Sequence, residues 1–199
     1  MKFIICGIPR SGSTLVWQIM QAIFADQKIL QTHPVELVFD GSFAIATIRH
    51  PCDVAASRYR IRLSRGGIKC GGASGLEAEL VVMKTHFDAL SRIRDSLGKL
   101  LWYEDFYQDY TVIYRMIQEE FHCNVSCLRR EELDRLFSAT ANKERADKLN
   151  SFNEIDEQKI HGDHIGPVVP GAWTKLPDWQ KDAIQEFCLP IADEWGYTI

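Results

Sequence analysis

A glycine-bounded loop between two apolar stretches is the feature that most constrains this chain. Residues 3–6 (FIIC) form an apolar run of strand length, and residues 15–24 (LVWQIMQAIF) are long and apolar enough for a packed helix. Residues 7–14 between them read GIPRSGST. In a strand–loop–helix unit the N–H groups at the helix start point at an anion, and glycine allows close approach of the backbone. The stretch therefore predicts a phosphate-binding loop.

The loop departs from the pattern of nucleoside triphosphatases at one position. Its spacing fits G-x-x-x-x-G-K-S/T, but Ser13 stands where the lysine is expected, and a cation appears earlier, at Arg10. Such enzymes also need an acidic residue at a strand end to help hold magnesium. A later strand candidate, residues 43–48, is followed by Arg49 and His50 instead. We therefore expect an anionic ligand that is held by arginines without magnesium.

Length and composition are those of an ordinary globular domain. With 199 residues, 46% hydrophobic and 25% charged, the chain is expected to form one domain over residues 1–199. The net charge of −4 argues against nucleic-acid binding, so anion binding must come from local clusters. No run approaches membrane-spanning length, no signal peptide is evident, and the six cysteines are expected to be free thiols. These features predict a cytoplasmic protein without a membrane partner.

Strands alternate with helices along the chain, which predicts an α/β fold, a three-layer sandwich with a mainly parallel central sheet flanked by helices. Further strands are expected at residues 28–32 and 99–103. Helices are expected at residues 51–63, 76–97, 110–121, 131–140, 142–149 and 178–195, the last kinked or broken at Pro190. Residues 65–75 and 150–173 are expected as loops, the first as a lid candidate. Because ligands bind at the carboxyl ends of parallel strands, Arg10, His33, Arg49 and Tyr103 are expected at one cleft.

Arg49 and Ser57 form a second candidate for anion binding. Arg49 follows a strand, and Ser57 lies eight positions later in the next predicted helix. A guanidinium and a hydroxyl so placed can reach one phosphate. The ordinary alternative is an arginine in a surface ion pair and a serine that faces water. Together with the first loop, we expect two anion sites.

In their order these motifs resemble those of sulfotransferases that use 3′-phosphoadenylyl sulfate (PAPS). The family's 5′-phosphosulfate loop, P-K/R-S-G-S/T-T, is similar to residues 9–14, and its 3′-phosphate motif, R-N/D-P-x-D-V-x-x-S, is similar to residues 49–57. Weaker similarities to K-T-H-x-P, Y-E-D and G-x-W lie at residues 31–34, 103–105 and 171–173. The resemblance covers nearly the whole chain and implies the P-loop NTPase-like sulfotransferase fold. It departs from the family at residues 166–168 (GPV), where many relatives carry a basic R-K-G cluster.

The resemblance also implies an activity and a set of site residues. The activity is in-line transfer of a sulfuryl group from PAPS, the donor co-substrate, to a hydroxyl or amine acceptor, with no metal. The 5′-phosphate would be bound by Arg10, Ser11, Gly12, Ser13 and Thr14, and Arg10 would stabilise the leaving phosphate oxygen. Arg49 and Ser57 would bind the 3′-phosphate, and Tyr103 and Thr140 would lie near it or near the adenine.

The acceptor needs a base, and His33 is the first choice. It follows a predicted strand, it matches the family's histidine, and its unperturbed pKa suits the role. Glu36 and His86 are the alternatives, and His86 is expected in mid-helix with a structural role. Two other functions stay open: a divergent P-loop kinase and a non-catalytic nucleotide-binding protein that kept the fold. The sequence identifies neither the acceptor nor the oligomeric state.

Arg58, Arg62 and Arg65 recur at helical spacing in the same predicted helix. Such a basic stripe either steers an anionic donor or an acidic acceptor, or it is a solvated helix face.

Overall fold

The computed structural model describes residues 2–37, 41–66, 72–151, 153–162 and 169–199. Four parallel strands form its sheet in the order β2-β1-β3-β4. They are β1 (Phe3–Gly7), β2 (Ile29–Thr32), β3 (Phe43–Ile48) and β4 (Lys99–Trp102). The expected α/β class with a parallel sheet is confirmed.

Helices connect the strands and complete the chain. They are α1 (Ser13–Ile23), α2 (Pro51–Gly66), α3 (Ala73–Ile93), α4 (Tyr103–Phe106), α5 (Thr111–Phe121), α6 (Cys127–Phe137), α7 (Ala139–Ala146) and α8 (Asp178–Trp195). Short 3₁₀ segments cover Pro34–Glu36, Arg94–Ser96 and Ala172–Lys175. No helix in the described part of the chain is long and apolar enough to span a membrane.

The sheet is covered on both faces, because alternate side chains of its strands enter two separate cores. Ile45 of β3 packs in a core with Val16 and Met20 of α1. Its neighbours Ala46 and Ile48 pack in a second core with residues of α2, α3 and α8. Every residue of β1 is buried, as expected for a central strand of a parallel sheet. This is the three-layer sandwich expected from the sequence.

Two expectations about individual elements need correction. α8 is continuous through Pro190, so the helix is not broken there. The buried side chains of Cys188 and Ile191 on either side of the proline hold both halves against the same core, which offsets the lost hydrogen bond. Part of the expected 65–75 loop is helical, since α2 extends to Gly66 and α3 begins at Ala73. The rest of the lid candidate, and the GPV segment, lie largely or wholly outside the described residues.

Candidate functional site

The carboxyl ends of three strands lie side by side. Gly7 of β1 pairs with Thr47 of β3, and Ile48 pairs with Trp102 of β4. Because these strands are parallel, the segments that follow them leave the sheet at the same edge. The loop at residues 8–12, the Arg49 position and the start of α4 are therefore neighbours, on one side of the molecule.

Two contacts join the glycine loop to the other motifs. The Arg10 Nε donates a hydrogen bond to the Ser57 Oγ over 2.9 Å. Gly12 packs so closely on the aromatic residues of α4 that a Cβ there would lie 2.9 Å from carbons of Tyr103 and Phe106. The two candidate anion-binding motifs thus touch each other directly.

Ser11 holds the loop in shape. Its Oγ lies 2.6 Å from the Ile8 carbonyl oxygen and 2.6 Å from the Thr47 Oγ1, and its backbone N–H donates to Ile8. Gly7 makes this contact possible, because a Cβ at that position would lie 2.4 Å from the Thr47 Oγ1. Both polar groups of Ser11 are therefore occupied within the protein.

The start of α1 has the geometry of an anion site. Gly12 precedes the helix with φ of +83°, and no side chain caps the helix start. The first N–H groups of a helix have no partner within the helix and carry the positive end of its dipole. Ser13 is buried beside them, and the Thr14 Oγ1 accepts a hydrogen bond from the Gln31 Nε2 over 3.0 Å. The sequence did not predict that Gln31, on β2, would position the Thr14 side chain.

Arg49 is a buried cation, and one of its N–H groups has no acceptor among the described residues. Its side chain is 4% exposed and lies over the Tyr103 ring, 4.4 Å from the centroid. Its Nη2 is 3.8 Å from the Asp53 Oδ2 and 3.5 Å from the Val169 carbonyl oxygen, while its Nε has no acceptor in the described part of the chain. A buried N–H without an acceptor is uncommon and fits a site that receives an anion.

Asp53 ties this site to the C-terminal part of the chain. The carboxylate is buried and accepts hydrogen bonds from the backbone N–H groups of Gly171 (2.7 Å) and Trp173 (3.2 Å). The Trp173 ring in turn stacks on His50 at a centroid distance of 6.2 Å. This link between Asp53 and the C-terminal segment was not predicted from the sequence.

The electrostatics of the arginines favour an anionic ligand. Burial, together with the positive charges of Arg60 and Arg49, lowers the pKa of Arg10. Burial also lowers the pKa of Arg60, and Arg49 adds to the effect. Three arginines thus lie close enough at this edge to affect one another, and a bound anion would offset their mutual repulsion.

A hydrogen bond holds His33 in the tautomer whose Nε2 can accept a proton. Its Nδ1 lies 3.0 Å from the Gly7 carbonyl oxygen, which can only accept, so this nitrogen carries the proton. In the neutral ring the Nε2 then keeps its lone pair. Glu36 lies one short segment away and accepts a hydrogen bond from the Thr32 Oγ1 over 3.3 Å.

His86 is closer to the site than the sequence suggested. It lies within α3, as expected, but its ring packs edge-on against His33 with centroids 5.4 Å apart. Burial lowers the pKa of His86 to about 4, and His33 and Arg58 contribute. The ring is therefore neutral at pH 7, and its Nδ1 has no partner in the described part of the chain.

A cavity of about 1040 Å³ opens beside the loop. Its described walls include Arg10, Ser13, Thr14, His33, Glu36 and His86. Arg49, Ser57 and Tyr103 are not among the described lining residues, and Arg10 connects them to the cavity through its bond to Ser57. The exposed Thr140, in the first turn of α7, has no described contact with these residues.

Comparison with known proteins identifies the fold. No protein-family model and no curated protein sequence matches the chain. Among solved structures, mouse sulfotransferase SULT7A1 complexed with PAP matches with a TM-score of 0.69 at 13% identity, over 97% of this chain and 84% of that one. Retinol dehydratase in complex with androsterone and the inactive cofactor PAP matches with a TM-score of 0.70 at 14% identity, over 96% and 80%. The chain therefore has the sulfotransferase fold.

Proposed function

We propose that this protein is a sulfotransferase that moves a sulfuryl group from PAPS to a hydroxyl or amine acceptor. The observation that carries the proposal is the 2.9 Å contact between Arg10 of the first motif and Ser57 of the second. Two anion-binding elements that touch at one sheet edge suit a ligand with phosphates at both its 5′ and 3′ positions. The fold, shared with proteins solved as PAP complexes, supports the same reading.

In this proposal the two motifs divide the donor between them. The first N–H groups of α1 and the hydroxyls of Ser13 and Thr14 bind the 5′-phosphate, while Ser11 keeps the loop in shape. Arg49 and Ser57 bind the 3′-phosphate, and the Arg49 Nε, which has no acceptor among the described residues, supplies a donor for it. Roles for Tyr103 and Thr140 near the 3′-phosphate or adenine remain part of the proposal.

The chemistry follows from the position of His33. The acceptor hydroxyl gives its proton to the His33 Nε2 as its oxygen bonds to sulfur, and the bond from sulfur to the 5′-phosphate oxygen breaks. The products are a sulfate ester, the bisphosphorylated nucleotide and a proton that His33 passes to solvent. The guanidinium of Arg10, held at this edge by its bond to Ser57, would stabilise the negative charge that develops on the leaving phosphate.

Calorimetry with 3′-phosphoadenosine 5′-phosphate (PAP) and with ADP tests the donor assignment. In the presence of EDTA, PAP is expected to bind more tightly, because ADP lacks the 3′-phosphate that Arg49 would hold. Arg49→Gln is expected to weaken PAP about 10- to 100-fold, the value of a lost charge-assisted hydrogen bond, with little change for ADP. Arg92→Gln, at an exposed arginine of α3, is the matched control.

Each alternative has its own outcome. Equal affinity for PAP and ADP would contradict the proposal, and binding of ATP that requires magnesium would favour a kinase. His33→Ala is expected to abolish transfer while PAP binding stays intact. Binding of PAP without transfer to any member of a broad acceptor panel would point to a non-catalytic protein.

A further inference from the structure

The turn at residues 156–160 holds one lysine in an uncommon backbone conformation. Lys159 has a φ of +59°, in the left-handed region that residues with a Cβ seldom occupy. The Asp156 Oδ1 accepts hydrogen bonds from the backbone N–H groups of Gln158 over 3.0 Å and Ile160 over 2.7 Å. The Asp156 carbonyl oxygen accepts another from the Lys159 N–H over 3.0 Å. Asp156 therefore closes the turn around this lysine.

Both neighbours of Lys159 are anchored to the rest of the protein. The Gln158 carbonyl oxygen accepts a hydrogen bond over 3.1 Å from the Nε2 of Gln18, a buried residue of α1. The Ile160 side chain is also buried. A strained residue persists where the surrounding structure holds it, and such residues cluster at functional sites. The fold therefore sets the position of the Lys159 side chain, which makes this lysine a candidate for a functional role.

The Lys159 side chain lines the same cavity as His33. Its Nζ lies 4.7 Å from the centroid of the Trp17 ring and makes no hydrogen bond or ion pair within the described part of the chain. Burial lowers the pKa of Lys159, and no described carboxylate offsets the effect. An ammonium group has three N–H donors, and an aromatic face attracts its charge without offering a lone pair. These donors are therefore available to a ligand in the cavity.

The order of the strands indicates which part of the donor this cavity receives. The proposed 3′-phosphate site follows β3, the 5′-phosphate site follows β1, and His33 follows β2. The sheet order is β2-β1-β3-β4, so these three sites lie in a row. A sulfuryl group that passes from the 5′-phosphate to an acceptor on His33 therefore crosses between the ends of β1 and β2.

Trp17 connects the start of α1 with β2. Its Nε1 donates a hydrogen bond to the Ile29 carbonyl oxygen of β2 over 3.1 Å. It lies three positions after Thr14, so the two side chains share one face of α1, and helical side chains point back toward the start of their helix. The Lys159 ammonium over this ring is therefore about one helical turn from the residues proposed to bind the 5′-phosphate, on the side of β2.

We propose that Lys159 is a further catalytic residue, whose ammonium donates hydrogen bonds to the sulfuryl oxygens of PAPS during transfer. The inference rests on the proposed sulfotransfer and adds a residue to it. The acceptor oxygen bonds to sulfur, the bond from sulfur to the 5′-phosphate oxygen breaks, and His33 takes the acceptor proton. Lys159 keeps its three protons throughout and stabilises the negative charge on the sulfuryl oxygens in the transition state.

Lys159→Met tests this role, because methionine keeps an apolar stem over Trp17 and removes the ammonium. The assay is the hydrolysis of PAPS to PAP and sulfate, in which water is the acceptor. The rate at saturating PAPS is expected to fall about 100-fold, the usual effect of losing one preorganised donor. The affinity for PAP in calorimetry is expected to stay within about twofold of the wild type, because PAP lacks the sulfuryl group.

Two other variants complete the experiment. Lys148→Met is the matched control, because Lys148 is exposed and is not among the described lining residues of the cavity. It is expected to change neither the hydrolysis rate nor the affinity for PAP. If Lys159→Met fails to unfold cooperatively, Lys159→Gly replaces it, since glycine suits a φ of +59° and also removes the ammonium. The same loss of rate is expected for this variant.

The outcomes separate the inference from the proposed function. An unchanged hydrolysis rate in the Lys159 variant would overturn the inference, and so would a loss of PAP affinity as large as the loss of rate. If the wild-type protein does not bind PAP, or binds it and neither hydrolyses PAPS nor transfers its sulfuryl group, the proposed function fails and the inference falls with it. If the wild type and the Lys159 variant are equally active, the inference alone fails.

Discussion

Asp53→Asn tests whether one buried carboxylate holds the C-terminal segment onto the site. Asp53 is 2% exposed and accepts from two backbone N–H groups, of Gly171 at 2.7 Å and of Trp173 at 3.2 Å. Asparagine has almost the same shape but only one acceptor oxygen. One of the two N–H groups must therefore face an NH₂ group, which is also a donor.

The expected cost follows from these contacts. An N–H left without an acceptor in a partly buried site costs about 1–3 kcal/mol. Arg49, whose Nη2 lies 3.8 Å from this carboxylate, also loses its negative partner, although it keeps its contact with the Tyr103 ring. Adding about 1 kcal/mol for this long pair gives a loss of about 3 kcal/mol in the free energy of unfolding.

Urea unfolding monitored by tryptophan fluorescence measures this loss. With an m-value of about 2 kcal/mol per M, the midpoint is expected to fall by about 1.5 M. Asp88→Asn is the control, because Asp88 is 46% exposed and pairs with Lys84 on the surface of α3. That change is expected to cost less than about 0.5 kcal/mol. Equal midpoints for the two variants would refute the anchoring role of Asp53.

Two further predictions concern the loop and the buried histidine. Gly12→Ala places a Cβ 2.9 Å from the Tyr103 and Phe106 rings at a φ of +83°, so a loss of about 3 kcal/mol is expected. Gly41→Ala shares the positive φ but meets no described atom within 4 Å; a loss of about 1 kcal/mol is expected in thermal unfolding, and equal losses would contradict the steric argument. For His86, the folded pKa of about 4 lies below the ordinary 6.5, so the unfolded chain takes up a proton at a higher pH than the folded protein does. The free energy of unfolding is therefore unaffected by this histidine above pH 6.5 and falls by at most about 3 kcal/mol as the pH decreases to 4. His86→Phe should flatten this decline in urea unfolding at pH 7, 6 and 5, and an unchanged pH slope would contradict it.

Much of the fold could be read from local pattern. The strand at residues 43–48 was predicted with the bounds that the structure gives, because a short apolar run between turn residues has few other solutions. α6 and α7 each begin about three or four residues earlier than expected, since the capping roles of two serines were not recognised. The Ser126 Oγ accepts from the Arg129 N–H, and the Ser138 Oγ accepts from the Ala141 N–H.

The site was harder to predict, because its contacts join distant parts of the chain. The parallel order of strands was enough to expect that Arg10 and Arg49 lie at one sheet edge. The hydrogen bond from the Gly171 N–H to Asp53 joins residues 118 positions apart, and no local sequence pattern predicts it. The packing of His86 on His33 likewise depends on how α3 lies against the rest of the fold. The spacing of residues within α3 alone does not predict that contact.

The hydroxyl contact between Ser11 and Thr47 has a consequence for recognising distant relatives. Position 47 belongs to a strand that no loop signature would include, yet its side chain fixes the shape of the loop and, with the Cβ of Ser13, excludes any side chain at position 7. Substitutions at positions 11 and 47 should therefore be tolerated together rather than singly, while position 7 should stay glycine. A search profile that scores these three positions jointly would detect divergent members that a contiguous motif overlooks.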